Sequence, residues 1–257
     1  MGQEWDPQLY LRFGDERARG QIDLLSRVGA DDPQEVVDLG CGPGNSTTVL
    51  AQRWPHARLI GLDSSPAMIE QARVALPAAS FEVADLREWL GRRAQADVVF
   101  THATLQWVPG HLDLMRDLVA AVRPGGWLAI GVPGNFAEPS HLLREQLAAT
   151  APYAEFTAGV ASPSAHDPEV YLRTLRALGC AVDAWEATYL HQLQGPDGVF
   201  EWVSGTSARP TLQALPDDLR ARFVAELKDQ LRQAYPVDDG MVVLPFRRVF
   251  VVAQAAA

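Results

Sequence analysis

The chain has 257 residues, 47% hydrophobic and 21% charged, which suits one well-buried α/β domain with a small insertion and is too short for two full-size domains. A net charge of −10 argues against a nucleic-acid partner, because proteins that bind a phosphate backbone carry a basic surplus or stripe. No run approaches the roughly 20 continuous apolar residues that span a bilayer, the first residues lack the basic and apolar regions of a secretory signal, and Cys41 and Cys180 have neither metal-ligand nor disulfide spacing. The expectation is a cytoplasmic protein, a monomer or weak homo-oligomer, that handles a small molecule without a metal, nucleic acid or membrane.

In chain order, residues 1–30 set Tyr10, Phe13, Ile22, Leu24, Leu25 and Val28 among charges, which reads as an arm and an amphipathic helix ending at Gly29. A buried strand is expected over 35–40, leading into Gly40-Cys41-Gly42-Pro43-Gly44. Glycine lacks a Cβ, so this turn can bring backbone amides close to a ligand at the start of the following helix. Any residue from Asn45 to Thr48 can cap that helix, which Pro55 stops. The Gly-x-Gly-x-Gly spacing falls short of the dinucleotide fingerprint Gly-x-Gly-x-x-Gly, and this favours a ligand without a pyrophosphate.

A second strand is expected over 57–62, ending at Asp63, with Ser64 or Ser65 capping a helix that has Pro66 in its first turn. Strands over 80–84 and 96–101 follow, the first ending at Asp85-Leu86 and the second at His102-Ala103-Thr104-Leu105-Gln106-Trp107. A helix over 112–122 and the turn Arg123-Pro124-Gly125-Gly126 precede a strand over 127–132. Strands alternating with helices of about 10 residues make right-handed βαβ units in a doubly wound, mostly parallel sheet. Beyond Gly134 the pattern loosens. Helices are expected over 139–149 and 167–178, a sixth strand over 182–193, a helical insertion with its longest helix over 217–234, and a seventh strand over 245–253. The resulting division is an arm at 1–30, a core at 31–134, 167–195 and 241–257, and a helical cap from insertions at 135–166 and 196–240.

Ligands of open α/β sheets bind outside the carboxyl ends of the strands, where strand order reverses. Asp63 stands 19 residues after Gly44, where a carboxylate can accept hydrogen bonds from a ribose diol or can cap a helix. Asp85 can accept from an adenine amine or can form a turn, with Leu86 as apolar cover. Asp38, inside the first strand, needs partners for a buried carboxylate, either backbone amides or a ligand ammonium.

The run Val36-Val37-Asp38-Leu39-Gly40-Cys41-Gly42-Pro43-Gly44, Asp63, Ala84-Asp85-Leu86 and the Arg123-Pro124-Gly125-Gly126 turn, taken together, resemble the class I S-adenosylmethionine-dependent methyltransferases, which have a seven-stranded Rossmann-like sheet. The resemblance implies a cofactor site built from Asp38, Gly40, Gly42, Asn45, Asp63, Ser64, Asp85, Leu86 and His102. The glycine turn would face the methionine part, Asp63 the ribose, Asp85 the adenine and the residues after strand four the reacting methyl. A narrower similarity spans nearly the whole chain and is to the trans-aconitate 2-methyltransferases. It is carried by Trp5-Asp6-Pro7-Gln8-Leu9-Tyr10, Arg17-Ala18-Arg19, Ala103-Thr104-Leu105-Gln106-Trp107, Glu201-Trp202-Val203-Ser204-Gly205-Thr206 with Arg209-Pro210, and Pro245-Phe246-Arg247-Arg248. That family usually has a Pro where this chain has Gly20.

The implied reaction forms a monomethyl ester on a carboxylate of a small polyacid. The acceptor is ionised near neutral pH, so no acid or base residue is required; positioning by His102 and Trp107 is expected, with His102 alternatively structural and Trp107 alternatively core. Tricarboxylate recognition calls for planar arginine donors, and the candidates are Arg12, Arg19, Arg209 and Arg247, with Tyr10, Gln106 and Trp107 completing the substrate site. In a strand, Arg248 should point away from Arg247. Other readings are methylation of another acid or of a neutral acceptor with His102 as base, a non-catalytic S-adenosylmethionine-binding protein, and a nicotinamide oxidoreductase.

Overall fold

The structure, a computed structural model, describes residues 14–257, with side chains described from Ala18 onward. The first described helix, α1 (Gly14–Leu25), runs through Gly20 without a break. It precedes β1 (Glu35–Leu39), α2 (Asn45–Arg53), β2 (Arg58–Asp63), α3 (Pro66–Ala75), β3 (Ser80–Val83), α4 (Leu86–Gly91) and β4 (Ala96–His102). Two 3-10 turns, Leu105–Trp107 and His111–Leu114, lead to α5 (Met115–Ala120) and β5 (Val122–Pro133). The chain continues through α6 (Pro139–Ala148), α7 (Ala154–Thr157), α8 (Pro168–Ala177), β6 (Ala181–Gln194), α9 (Gly198–Ser204), α10 (Arg209–Ala214), α11 (Asp217–Ala234) and β7 (Met241–Gln254).

These strands form one seven-stranded sheet in the order β3-β2-β1-β4-β5-β7-β6. β1 lies between β2 and β4 and is parallel to both, so the chain leaves β1 in one direction for β2 and β3 and later returns to its other side. That reversal opens the crevice beyond the carboxyl ends of β1 and β4. β5 is parallel to β4, and β7 is antiparallel to β5. The central strands read as almost continuous buried runs, because helices cover both faces of a mainly parallel sheet. Val37, Leu39, Val99, Leu128, Ile130, Val249 and Val251 belong to one apolar cluster. Burying each removes the side chain from water at a gain of about 1.5–3 kcal/mol.

Several boundaries differ from the sequence expectations, each for a local reason. Arg123-Pro124-Gly125-Gly126 is a bulge inside β5 rather than a turn before it: Ala96 pairs with Val122 and Val98 with Trp127. Pro124 has no amide to offer the ladder and Gly125 takes φ 75°. The expected helix over 112–122 is a 3-10 turn followed by a short α-helix. α4 was not expected; Asp85 caps it, its carboxylate accepting from the Arg87 amide at 2.7 Å. α3 starts as expected, with Ser65 as cap and Pro66 in the first turn.

The chain divides into two compact units. One comprises the described residues up to Pro133, Ala165–Ala187 and Arg248–Ala257; the other comprises Gly134–Ser164 and Thr188–Arg247. In the second unit α6 packs on α11, with Tyr153 edge-on to Phe223 at 5.0 Å between ring centroids. The Tyr235 hydroxyl receives the Ser140 amide at 3.1 Å. His191 stacks on Trp202 at 4.6 Å, and Trp202 meets Phe246 at 5.5 Å. Among the described residues, no helix is long and apolar enough to cross a membrane.

Candidate active site

The glycine turn is tied to the end of β2. The amides of Gly40 and Cys41 donate to the Leu62 carbonyl at 2.7 and 2.9 Å, and the Gly42 amide donates to Asp63 Oδ2 at 3.0 Å. Gly40 and Gly42 have φ 77° and 55°, values that favour glycine. Their surroundings differ. A Cβ on Gly40 would fall 2.1 Å from Thr104 Oγ1, whereas one on Gly42 would meet nothing within 4 Å. Gly40 is therefore glycine for packing, and Gly42 borders the open space a ligand would fill. Asn45 is the first residue of α2 and does not cap it; Gly44 holds the cap position, with no side-chain cap bond.

The hydroxyls of the next two residues turn inward instead. Ser46 Oγ and Thr47 Oγ1 donate to Asp38 Oδ2 at 2.6 and 2.7 Å. Asp38 is 1% exposed, and Oδ1 has no hydrogen-bond partner among the described residues. Burial pushes its carboxyl up to about 6, the two hydroxyls pull it down, and the Asp63 carboxylate adds a smaller upward push. An unsatisfied carboxylate oxygen in this position suits a ligand ammonium. The Cys41 thiol, buried and flanked by Asp38 and Asp63, is pushed upward and remains protonated, so it is no nucleophile.

Asp63 closes β2 half-buried, its Oδ1 accepting from the Ser65 amide at 2.8 Å. Burial raises its carboxyl and the Ser65 and Gly42 amides lower it. Each oxygen keeps a second lone pair for a diol. Ser64 is exposed beside it. Asp85 is exposed and caps α4, and Leu86 is half-buried next to it. The glycine turn, an ammonium acceptor and a diol acceptor thus lie on consecutive strand ends, and they fit an amino-acid nucleoside.

At the end of β4, Ala103 takes φ 56° and donates its amide to the Gly131 carbonyl at 2.8 Å. This left-handed residue turns the chain so that the Thr104 hydroxyl comes within 3.3 Å of the Gly40 carbonyl. Gln106 is buried, its Nε2 donating to the Ala103 carbonyl at 2.7 Å, and Trp107 is half-buried. His102 is buried, with Arg248 Nη1 3.4 Å from its Nε2. Burial, then the guanidinium charge, holds its imidazole well below the usual histidine range. It is thus unsuited to serve as a base.

The arginine candidates separate. Tyr10 and Arg12 lie outside the described residues. Arg19 is exposed on α1. Arg209 and Arg247 belong to the second unit, Arg209 buried at the start of α10 and Arg247 half-buried, its Nη1 donating to the Gly134 carbonyl at 3.1 Å. Arg248 does face away from Arg247, and that direction carries it to His102. Sequence reasoning also passed over Arg144 in α6, a buried guanidinium that bonds the Ser207 carbonyl and Glu145.

A family model described as a methyltransferase domain matches residues 36–126, which run from β1 into β5. A trans-aconitate 2-methyltransferase of Streptomyces avermitilis is 48% identical over 98% of this chain and 97% of its own length. The chain belongs to the trans-aconitate 2-methyltransferase family. The family's Escherichia coli O157:H7 member is 42% identical, covering 98% of both chains. Among solved structures, the YcgJ protein of Bacillus subtilis has a TM-score of 0.58 at 10% identity, covering 93% of this chain and 99% of that one. A Haemonchus contortus phosphoethanolamine N-methyltransferase in complex with S-adenosylhomocysteine has a TM-score of 0.57 at 15% identity, covering 93% and 53%. Both share the fold of this family.

Proposed function

We infer that the chain transfers a methyl group from S-adenosylmethionine to a carboxylate oxygen of trans-aconitate, giving a monomethyl ester. The observation that carries this reading is near-full-length identity to trans-aconitate 2-methyltransferases, in a chain whose strand ends hold the turn and carboxylates a cofactor of this kind needs. When bound, S-adenosylmethionine would supply an electrophilic methyl on a sulfonium, whose sulfur keeps the electron pair of the broken bond and departs as a neutral thioether.

The residues of this chain have three tasks. The first is to hold the cofactor: the glycine turn would accommodate its methionine part, Asp38 would accept the ammonium, Asp63 the ribose hydroxyls and Asp85 the adenine amine, with Leu86 as cover. The second is to leave the acceptor ionised. A carboxylate near neutral pH already carries its nucleophilic electron pair, so no proton has to be removed, and a buried His102 whose Nε2 faces a guanidinium suits such a reaction. The third is to align acceptor and methyl and exclude water, which supplies most of the rate enhancement when no acid or base takes part. Gln106 and Trp107 after β4 would do this work. Both cysteines are free and buried, in keeping with action in a reducing cytoplasm, as a monomer or weak homo-oligomer.

Incubation with S-adenosylmethionine and trans-aconitate should yield a product heavier by one methyl. Turnover of a neutral hydroxyl acceptor with none of the acid would overturn the reading. Asp63→Asn should weaken S-adenosylhomocysteine binding by roughly ten- to hundredfold, measured by calorimetry; unchanged affinity would remove the ribose role.

A further inference from the structure

The sheet face that α1 covers holds an arrangement the sequence did not suggest. His102 ends β4, and its ring lies over Gly131 of β5, where an added Cβ would come 2.5 Å from His102 Cδ2. α1 closes in through Gly20, whose Cβ would fall 2.9 Å from Arg248 Cδ and 3.1 Å from His102 Nε2. Arg248 arrives from β7, paired with Pro133 at the carboxyl end of β5. Two glycines therefore make room for one imidazole and one guanidinium side by side, both nine-tenths or more buried.

The 3.4 Å contact between Arg248 Nη1 and His102 Nε2 fixes the roles. A guanidinium can only donate, so Nε2 accepts and the ring proton sits on Nδ1. His102 and the Pro133 partner of Arg248 both stand at the carboxyl ends of their strands, the edge at which ligands of open α/β sheets bind, and Thr104, two residues on from His102, meets the glycine turn. Arg247, on the other face of the strand, is engaged with Gly134 instead.

We propose that Arg248 anchors a ligand carboxylate at the carboxyl ends of β4 and β5, and that His102, in its neutral Nδ1–H form, is the positioning residue that sets the plane of the guanidinium. The inference rests on the functional reading above. A planar fork held in one orientation matches the two oxygens of a carboxylate, which a lysine ammonium does not. Two carboxylates meet at such a site, one on the acceptor acid and one on the methionine part of the cofactor, and both offer the same chemistry.

Two calorimetric titrations distinguish them: S-adenosylhomocysteine into the free protein, and trans-aconitate into the protein saturated with S-adenosylhomocysteine. Arg248→Lys keeps the charge and loses the fork. It should weaken one titration by roughly ten- to hundredfold, the acid titration if the acceptor is anchored and the cofactor titration if the methionine carboxylate is. A folded variant with both affinities unchanged overturns the proposal. His102→Gln places a carbonyl oxygen where Nε2 stood and should stay close to wild type, while His102→Leu should follow Arg248→Lys; equal losses in the two remove the positioning role. In the wild-type protein, nitrogen-15 spectra should show His102 as the Nδ1–H tautomer, and an Nε2–H ring or an imidazolium at neutral pH overturns the arrangement even if a variant fails to fold. A wild type that binds S-adenosylhomocysteine and no trans-aconitate overturns the acceptor assignment, while the cofactor titration and the spectra still decide Arg248.

Discussion

Asp38 makes the protein less stable as the pH rises, and the amount follows from its surroundings. Its carboxyl is raised from 3.8 to about 6, chiefly by burial. Between these values the folded protein binds the proton more tightly than the unfolded chain, so stability is highest below the unfolded value and is lost as pH climbs through the folded one. One pKa unit corresponds to about 1.36 kcal/mol, so a rise of about two units amounts to roughly 3 kcal/mol by neutral pH. Asp38→Asn keeps a carbonyl oxygen for Ser46 and Thr47 and does not titrate. Urea unfolding of both proteins from pH 4 to 7 should therefore show wild type losing roughly 2.5 kcal/mol relative to the variant, most of it between pH 4 and 6. Saturation with S-adenosylhomocysteine should shrink that difference, since an ammonium at Oδ1 favours the charged carboxylate. A difference that stays flat across the range, or grows in favour of wild type with pH, would refute the account of Asp38.

Two further perturbations separate packing from binding. Gly42→Ala meets no atom, so it should cost only the left-handed backbone, about 1–2 kcal/mol, and should weaken S-adenosylhomocysteine binding. Gly40→Ala adds a clash with Thr104 and should cost more or prevent folding; equal stability losses would contradict the distinction. Tyr171 is fully buried, its hydroxyl 2.7 Å from His111 Nε2 and accepting from the His166 amide at 3.3 Å. Tyr171→Phe leaves both groups unpaired and should lower the unfolding free energy by about 1–3 kcal/mol. Burial and then His166 hold His111 below the ordinary histidine value, so stability from this cluster is present at neutral pH and falls as pH drops below about 6.5. Insensitivity of the melting temperature to Tyr171→Phe would count against that reading.

Much of the fold was legible because its signals are local. The apolar run into Gly40, Ser65 before Pro66, and the 18-residue amphipathic pattern of Asp217–Ala234 each act through neighbours a few residues away, and each formed the expected element. Where local signals conflicted, the reading failed. Arg123-Pro124-Gly125-Gly126 has turn chemistry, yet β4 pairs with Val122 and Trp127 on either side of it, and the Gly125 amide donates to the Ala256 carbonyl while the Gly126 carbonyl accepts from the Ala255 amide, which holds it within β5 as a bulge. Asn45 has capping chemistry, yet Gly44 stands at the cap, and Ser46 and Thr47 turn to the buried Asp38.

For the site, sequence alone determined the parts that lie on one strand–turn–helix unit or at a strand end: the glycine turn, Asp63 and Asp85 are functional candidates because βαβ connection rules bring strand ends together. Tertiary structure decided everything that depends on which side chain meets which across 60 residues or more. Thr104 against Gly40 joins the ends of two strands distant in sequence and adjacent in the sheet, and Arg248 against His102 reaches across β5 from β7 to β4. Alternation along β7 determined that Arg247 and Arg248 face opposite ways, but it could not say which face holds His102. That was settled by glycines at 20 and 131, which leave the space, and such space is a property of three packed elements that no single stretch of chain encodes.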